Sequence, residues 1–220
     1  MRGGVSLQKI KLMARKNSVT GFRNADQTSC PDAWVRYLDT VSALDVVQQW
    51  KARTFALLDA RAGQQLLDVG CGLGDDVRTL AQRVGRTGRV VGVDTSTTMI
   101  EEARKRTAGQ PLPVEYYVGD AQRLDFPDET FDGCRAERVF VHLAHPQAAL
   151  TELVRVTRSG GRIVVGDPDF DSFLVDGGER ELARRLMHFA TDRMARNGWM
   201  GRQLWALCCG RRLVQDPRHG

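Results

Sequence analysis

The chain has 220 residues, with 32 Lys and Arg against 27 Asp and Glu and a formal net charge of +5. That length supports one domain with a sizeable core and some additional helix, and no apolar run approaches the ~20 residues of a membrane span. Residues 1–23 hold six Lys/Arg and no acid, and residues 201–220 hold four Lys/Arg and Asp216. The 177 residues between carry 22 basic and 26 acidic groups, a net of −4, so the body does not read as a nucleic-acid-binding surface.

Residues 1–29 lack a sustained apolar period and are expected to form a flexible basic arm, without the apolar segment of a secretory signal. Ser29 ahead of Pro31 signals a helix start, and Trp34, Leu38 and Val41 begin an apolar stripe. A second helix is predicted near 44–60 on Leu44, Val47, Phe55 and Leu58. Strands are predicted near 65–69, 89–93, 114–118, 131–136 and 161–166, and helices near 75–84, 97–107, 146–157 and 178–197. This alternation argues an α/β fold with a parallel sheet, right-handed crossovers and helices on both faces. The five cysteines (Cys30, Cys71, Cys134, Cys208, Cys209) show no C-x-x-C spacing. Cys71 falls in a glycine loop and Cys134 in a strand, so a reduced, cytoplasmic setting is expected rather than a disulfide scaffold.

The loop after the first strand carries the chemistry. Leu67-Asp68-Val69 runs into Gly70-Cys71-Gly72-Leu73-Gly74, and Asp75 and Asp76 follow where a helix begins. The second strand ends at Asp94, placed to take two ribose hydroxyls. A dinucleotide would set its pyrophosphate on the helix N-terminus and wants G-x-G-x-x-G. Here Asp75 takes the place of the last fingerprint glycine, and two carboxylates spoil a phosphate site. A cofactor with ribose and adenine, no phosphate and a positive charge suits the loop; S-adenosylmethionine is one.

The motifs resemble those of the class I S-adenosylmethionine-dependent methyltransferases. The resemblance starts at Leu67–Gly74 and continues through Val93-Asp94-Thr95-Ser96, Gly119-Asp120-Ala121, Phe126–Asp132, Arg155-Val156 and Gly160-Gly161-Arg162. It covers roughly residues 40–175, and the branch it is most similar to is the small-molecule type of the ubiquinone and menaquinone pathways (type 11). It implies a Rossmann-like doubly wound fold, with residues 30–62 as a helical lid and 63–175 as the cofactor-binding core. Gly70, Cys71, Gly72 and Gly74 would frame the methionine portion, and Asp68 would orient its ammonium group. Asp94 would bind ribose, while Thr95, Ser96 and Met99 line the adenosine. Gly119, Asp120 and Ala121 would meet the adenine, and Arg138 the cofactor's carboxylate. His142 is the candidate general base, because an imidazole titrates near working pH. No metal is called for: Asp167, Asp169 and Asp171 alternate after the fifth strand, but the other ligand positions of metal-dependent relatives are not evident.

The end of the chain departs from that pattern. The usual last two strands have too little sequence after the helix near 178–197, so residues 176–220 read as a helix and an atypical tail, with the fifth strand left as an edge. The expected reaction is O- or C-methylation of a small-molecule acceptor. The rivals are a cofactor-binding module without efficient catalysis and a nucleic-acid methyltransferase. Against the second, Asp167-Pro168-Asp169-Phe170 follows the fifth strand rather than the fourth and lacks a second proline. Cys30-Pro31 reverses the Pro-Cys order of a cytosine-C5 nucleophile.

Overall fold

The computed structural model describes residues 26, 31–174, 178–193 and 195–210. The expected basic arm, Asp26 apart, and the tail from Arg211 onward lie outside the described residues. Five strands, β1 (Gln65–Val69), β2 (Arg89–Asp94), β3 (Val114–Val118), β4 (Phe131–Glu137) and β5 (Thr157–Gly166), form one sheet. Its order is β3-β2-β1-β4-β5, and every pairing is parallel. Helices α1 (Pro31–Ser42) and α2 (Asp45–Leu58) precede the sheet, and α3 (Asp75–Val84), α4 (Thr97–Thr107) and α5 (Pro146–Val156) make the crossovers. Helices α6 (Arg180–Arg193) and α7 (Met200–Cys209) follow β5.

Strand alternation sorts the apolar side chains into two layers. On one face, Leu66 and Val90 pack with Phe55 and Leu58 of α2, Val77, Leu80, Ala81 and Val84 of α3, and Ile100 and Ala103 of α4. On the other, Leu67, Val69, Val91, Val93, Cys134 and Ala136 pack with Ala149, Leu150, Leu153 and Val156 of α5. Each such buried aliphatic side chain contributes about 1.5–3 kcal/mol relative to exposure. Two local signals fix crossover starts: Ser96 Oγ accepts the Met99 N–H at 3.2 Å, and Pro146 occupies the first turn of α5. Strand order reverses between β2-β1 and β4-β5, so a crevice opens beyond the carboxyl ends of β1 and β4.

Two expectations need correction. β5 begins at Thr157 rather than near 161, because α5 feeds it without a loop. The register shift between Phe131 and Gly133, and Gly160 at φ +78°, absorb the extra residues. The helix near 178–197 ends at Arg193, and a further helix, α7, occupies the segment given no element from sequence. Among the described residues β5 pairs with β4 alone and is an edge.

Candidate functional site

The glycine loop is shaped by close approaches. Gly70 (φ +69°) would place a Cβ 2.2 Å from Val139 Cγ2, and Gly74 (φ +75°) would place one 2.5 Å from the Tyr116 hydroxyl. Both positions therefore require glycine for space as well as for backbone angle. Gly72 (φ +50°) meets only Leu38, at 3.7 Å, which leaves its outer side open. The Gly70 and Cys71 amides donate to Val93 O at 2.7 and 3.0 Å, tying the loop to β2. Cys71 is buried, and burial pushes its thiol up.

Asp94 sits at the end of β2 with each carboxylate oxygen on one backbone amide: Oδ2 on Gly72 at 3.0 Å and Oδ1 on Ser96 at 2.9 Å. These bonds fix its plane and leave further lone pairs for a diol. Burial raises its pKa, against the pull of the Ser96 and Gly72 bonds. Ser96 is buried and donates to Asp26 Oδ1 at 2.6 Å, while the Thr97 and Thr98 amides donate to the same carboxylate at 2.8 and 3.1 Å. Thr95 is exposed, and Met99 is buried with Leu73 against Trp34 and Leu38 of α1. Beyond β3, the Gly119 amide donates to Asp94 O at 2.9 Å, Ala121 is buried, and exposed Asp120 accepts from the Gln122 amide at 2.9 Å.

A buried ion network lies under the loop. Asp68 and Arg135 are register neighbours on β1 and β4, and Arg135 Nη1 donates to Asp68 Oδ1 at 2.9 Å. The same guanidinium lies 3.0 Å from Asp76 Oδ2, donates from Nε to Thr54 Oγ1 at 3.0 Å, and bonds to Glu137. It stacks 4.9 Å from the Phe55 ring centroid. Lys51 of α2 donates to Asp76 Oδ1 at 2.8 Å, and Arg138 Nε to Glu137 Oε1 at 3.1 Å. Burial pushes Asp68 up to about 6, more than Arg135 pulls it down. For Asp76, Arg135 and Lys51 together outweigh burial and hold the carboxyl below its ordinary range.

Above this network is a cavity of about 60 Å³, lined by Gly70–Leu73, Lys51, Asp75, Asp76, Arg135, Glu137 and Arg138, with Leu38 and Ser42 of α1 on its rim. Asp68 does not line it; its carboxylate faces Arg135. His142 lies half-buried in a 3-10 turn, Phe140–His142, and does not line it either. That turn is held from two sides. Asp167 accepts the Phe140 and Val141 amides at 3.1 and 3.2 Å, and the Asn197 side chain donates to Phe140 O and Leu143 O, both at 2.9 Å. A larger groove, about 330 Å³, lies by Thr191, Asn197, Trp199 and Gln203 and shares no lining residue with the first cavity. Among the described residues no cluster of three His, Cys, Asp or Glu could hold a metal, and no helix is long and apolar enough to cross a membrane.

The acids at the start of α3 answer the phosphate question. Asp75 pairs with Arg78 and Asp76 with Lys51 and Arg135, so the helix N-terminus already faces two carboxylates. A cavity with both charge signs beside a glycine loop, and a fixed carboxylate at the β2 end, suit a cofactor with an amino-acid end and a ribose. Fold and crevice thus define a doubly wound α/β domain that binds a nucleoside cofactor at its switch point.

Comparison with known proteins agrees. Residues 67–165, a little under half of the chain, match the methyltransferase domain family. The matched domain and the methyltransferase structures that share its fold imply S-adenosyl-L-methionine as the cofactor. A 37.1 kDa protein of transposon Tn4556 from Streptomyces fradiae is 43% identical over 178 residues, 81% of this chain and 51% of that protein. The demethylmenaquinone methyltransferase of Symbiobacterium thermophilum is 36% identical over 119 residues, 53% of this chain and 47% of that enzyme. The chain spans about half the length of these curated relatives. The Bacillus subtilis YcgJ structure shares the fold, with a TM-score of 0.60 at 20% identity over 77% of this chain and 70% of that one.

Proposed function

We propose that the chain transfers a methyl group from S-adenosylmethionine to a small-molecule acceptor. The observation that carries this reading is the pairing of Asp94, fixed by the Gly72 and Ser96 amides, with a two-signed cavity at the glycine loop. One site receives the ribose and the other the amino-acid end. When bound, the cofactor supplies an electrophilic sulfonium methyl. Because the leaving group is good, the protein's work is orientation and exclusion of water. Asp68 acts through Arg135, which it holds in place, while Glu137 and Asp76 stand at the cavity wall where an ammonium group needs acceptors. Thr95, Met99, Asp120 and Ala121 stand beyond the ends of β2 and β3, on the nucleoside side.

His142 is the proposed base for a hydroxyl acceptor, carried past the end of β4 by the 3-10 turn. The acid-rich body supports a small metabolite over a nucleic acid as acceptor. Labelled methyl transfer into a metabolite extract, with mass identification of the product, tests the reading. Label is expected in a low-molecular-mass product; binding of the cofactor with no transfer would favour the non-catalytic module. With the acceptor known, His142→Ala should lower turnover about 10²–10⁴-fold at unchanged S-adenosylhomocysteine affinity. Equal loss of both would count against the base role.

A further inference from the structure

Helix α2 sets one cation over the glycine loop. Lys51 is 6% exposed, lines the cavity beside Gly70–Leu73 and Arg138, and donates to Asp76 Oδ1 at 2.8 Å. An ammonium group has three donors. Arg135 is different: Nε, Nη1 and Nη2 are all engaged, by Thr54, Asp68, Asp76 and Glu137. Lys51 and Arg138 are thus the cavity-wall cations whose bonds to Asp76 and Glu137 leave donors to spare. Asp75, Asp76 and Glu137 share that wall.

A cavity lined by both signs matches a zwitterion, with its carboxylate on the cations and its ammonium on the acids. We propose that Lys51, together with Arg138, binds the carboxylate of the cofactor's amino-acid end. This rests on the cofactor reading above. Burial matters to the argument, since an ion pair shielded from water is little screened by salt. It also makes the cavity selective: a nucleoside thioether without the amino-acid end gains nothing from Lys51.

The test compares two ligands on the full chain by calorimetry, S-adenosylhomocysteine and 5′-methylthioadenosine, which lacks the amino-acid end. Lys51→Met should weaken the first about 10–100-fold, the span of a lost charged hydrogen bond, and the second less than about 3-fold. Lys51→Arg should restore most of the lost affinity. Equal weakening of both ligands, or S-adenosylhomocysteine affinity within about 2-fold of the parent, would overturn the proposal. Failure of the unmodified chain to bind either ligand would instead overturn the cofactor reading. Should Lys51→Met not fold, Lys51→Gln, which keeps an N–H for Asp76 without the charge, is read by the same two titrations. It should weaken S-adenosylhomocysteine and spare 5′-methylthioadenosine; equal weakening of both, or weakening of neither, overturns the proposal.

Discussion

At the scale of single residues, the site is a set of polar side chains whose freedom has already been removed. Asp94 is held by two amides before any ligand arrives. Asp94→Ala should weaken S-adenosylmethionine binding by roughly 1.5–3 kcal/mol, about 10–150-fold in Kd by titration calorimetry. Unchanged affinity would remove it from the ribose site. Asp94 and the three glycines were legible in the sequence because a strand end followed by Gly-x-Gly-x-Gly permits few arrangements. Arg135 and Glu137 were missed as structural partners, although the signal was there: two opposite charges at i and i+2, hence on one face of a central strand. Lys51 had a signal too, as a lone cation in the stripe formed with Phe55 and Leu58. Asp68 was expected to orient the cofactor's ammonium group, whereas its carboxylate faces Arg135 on the neighbouring strand, and a single sequence does not show strand neighbours.

At the scale of elements, the 3-10 turn after β4 gains its shape from segments distant in sequence. Asn197, between α6 and α7, is bonded to Phe140 and Leu143 through its side chain and to Val141 through its amide at 2.9 Å. Asn197→Ala should cost about 1–3 kcal/mol of stability, since two half-buried carbonyls lose their donor. Thermal unfolding measures this, and a change under a few tenths of a kcal/mol would show that solvent replaces the bonds. The crossover elements were legible within a residue or two because caps, apolar periodicity and strand alternation are local. α7 was not: Trp199 to Cys209 contains two cysteines and two tryptophans, and the segment was read as an atypical tail without an element of its own. The 3-10 turn was illegible for another reason, because Asp167 and Asn197 supply its partners from 27 and 57 residues away.

At the scale of the whole molecule, a buried acid and a surface ion pair make opposite demands on pH. Burial pushes Asp167 up to about 7, offset only in part by the Val141 and Phe140 amide bonds, with Glu137 adding repulsion. A folded-state pKa above the unfolded value near 4 means that the folded chain binds the extra proton. Its stabilising contribution is present below about pH 4 and is lost as pH rises toward 7. At about 1.4 kcal/mol per pKa unit the loss is at most about 4 kcal/mol. Glu115, held down to about 2 by Arg89, acts in the opposite sense and loses its contribution as pH falls from about 4 toward 2. The thermal midpoint of the parent chain minus that of Asp167→Asn should therefore fall between pH 5 and pH 8. Parallel curves would show that Asp167 does not titrate in that window.

The ion network also bears on where this domain can be cut. The family match spans 67–165, yet Lys51, Thr54 and Phe55 lie before it and supply a counter-ion, a hydrogen bond and a stacked ring to the centre of the sheet. A fragment trimmed to the matched segment would keep Asp68, Asp76 and Glu137 in its interior while discarding Lys51 and the apolar cover of α2. Stripping one partner from a buried charge pair costs about 3–5 kcal/mol, a large share of what holds a domain of this size together. The smallest autonomous unit is thus wider than its sequence signature and begins no later than the start of α2.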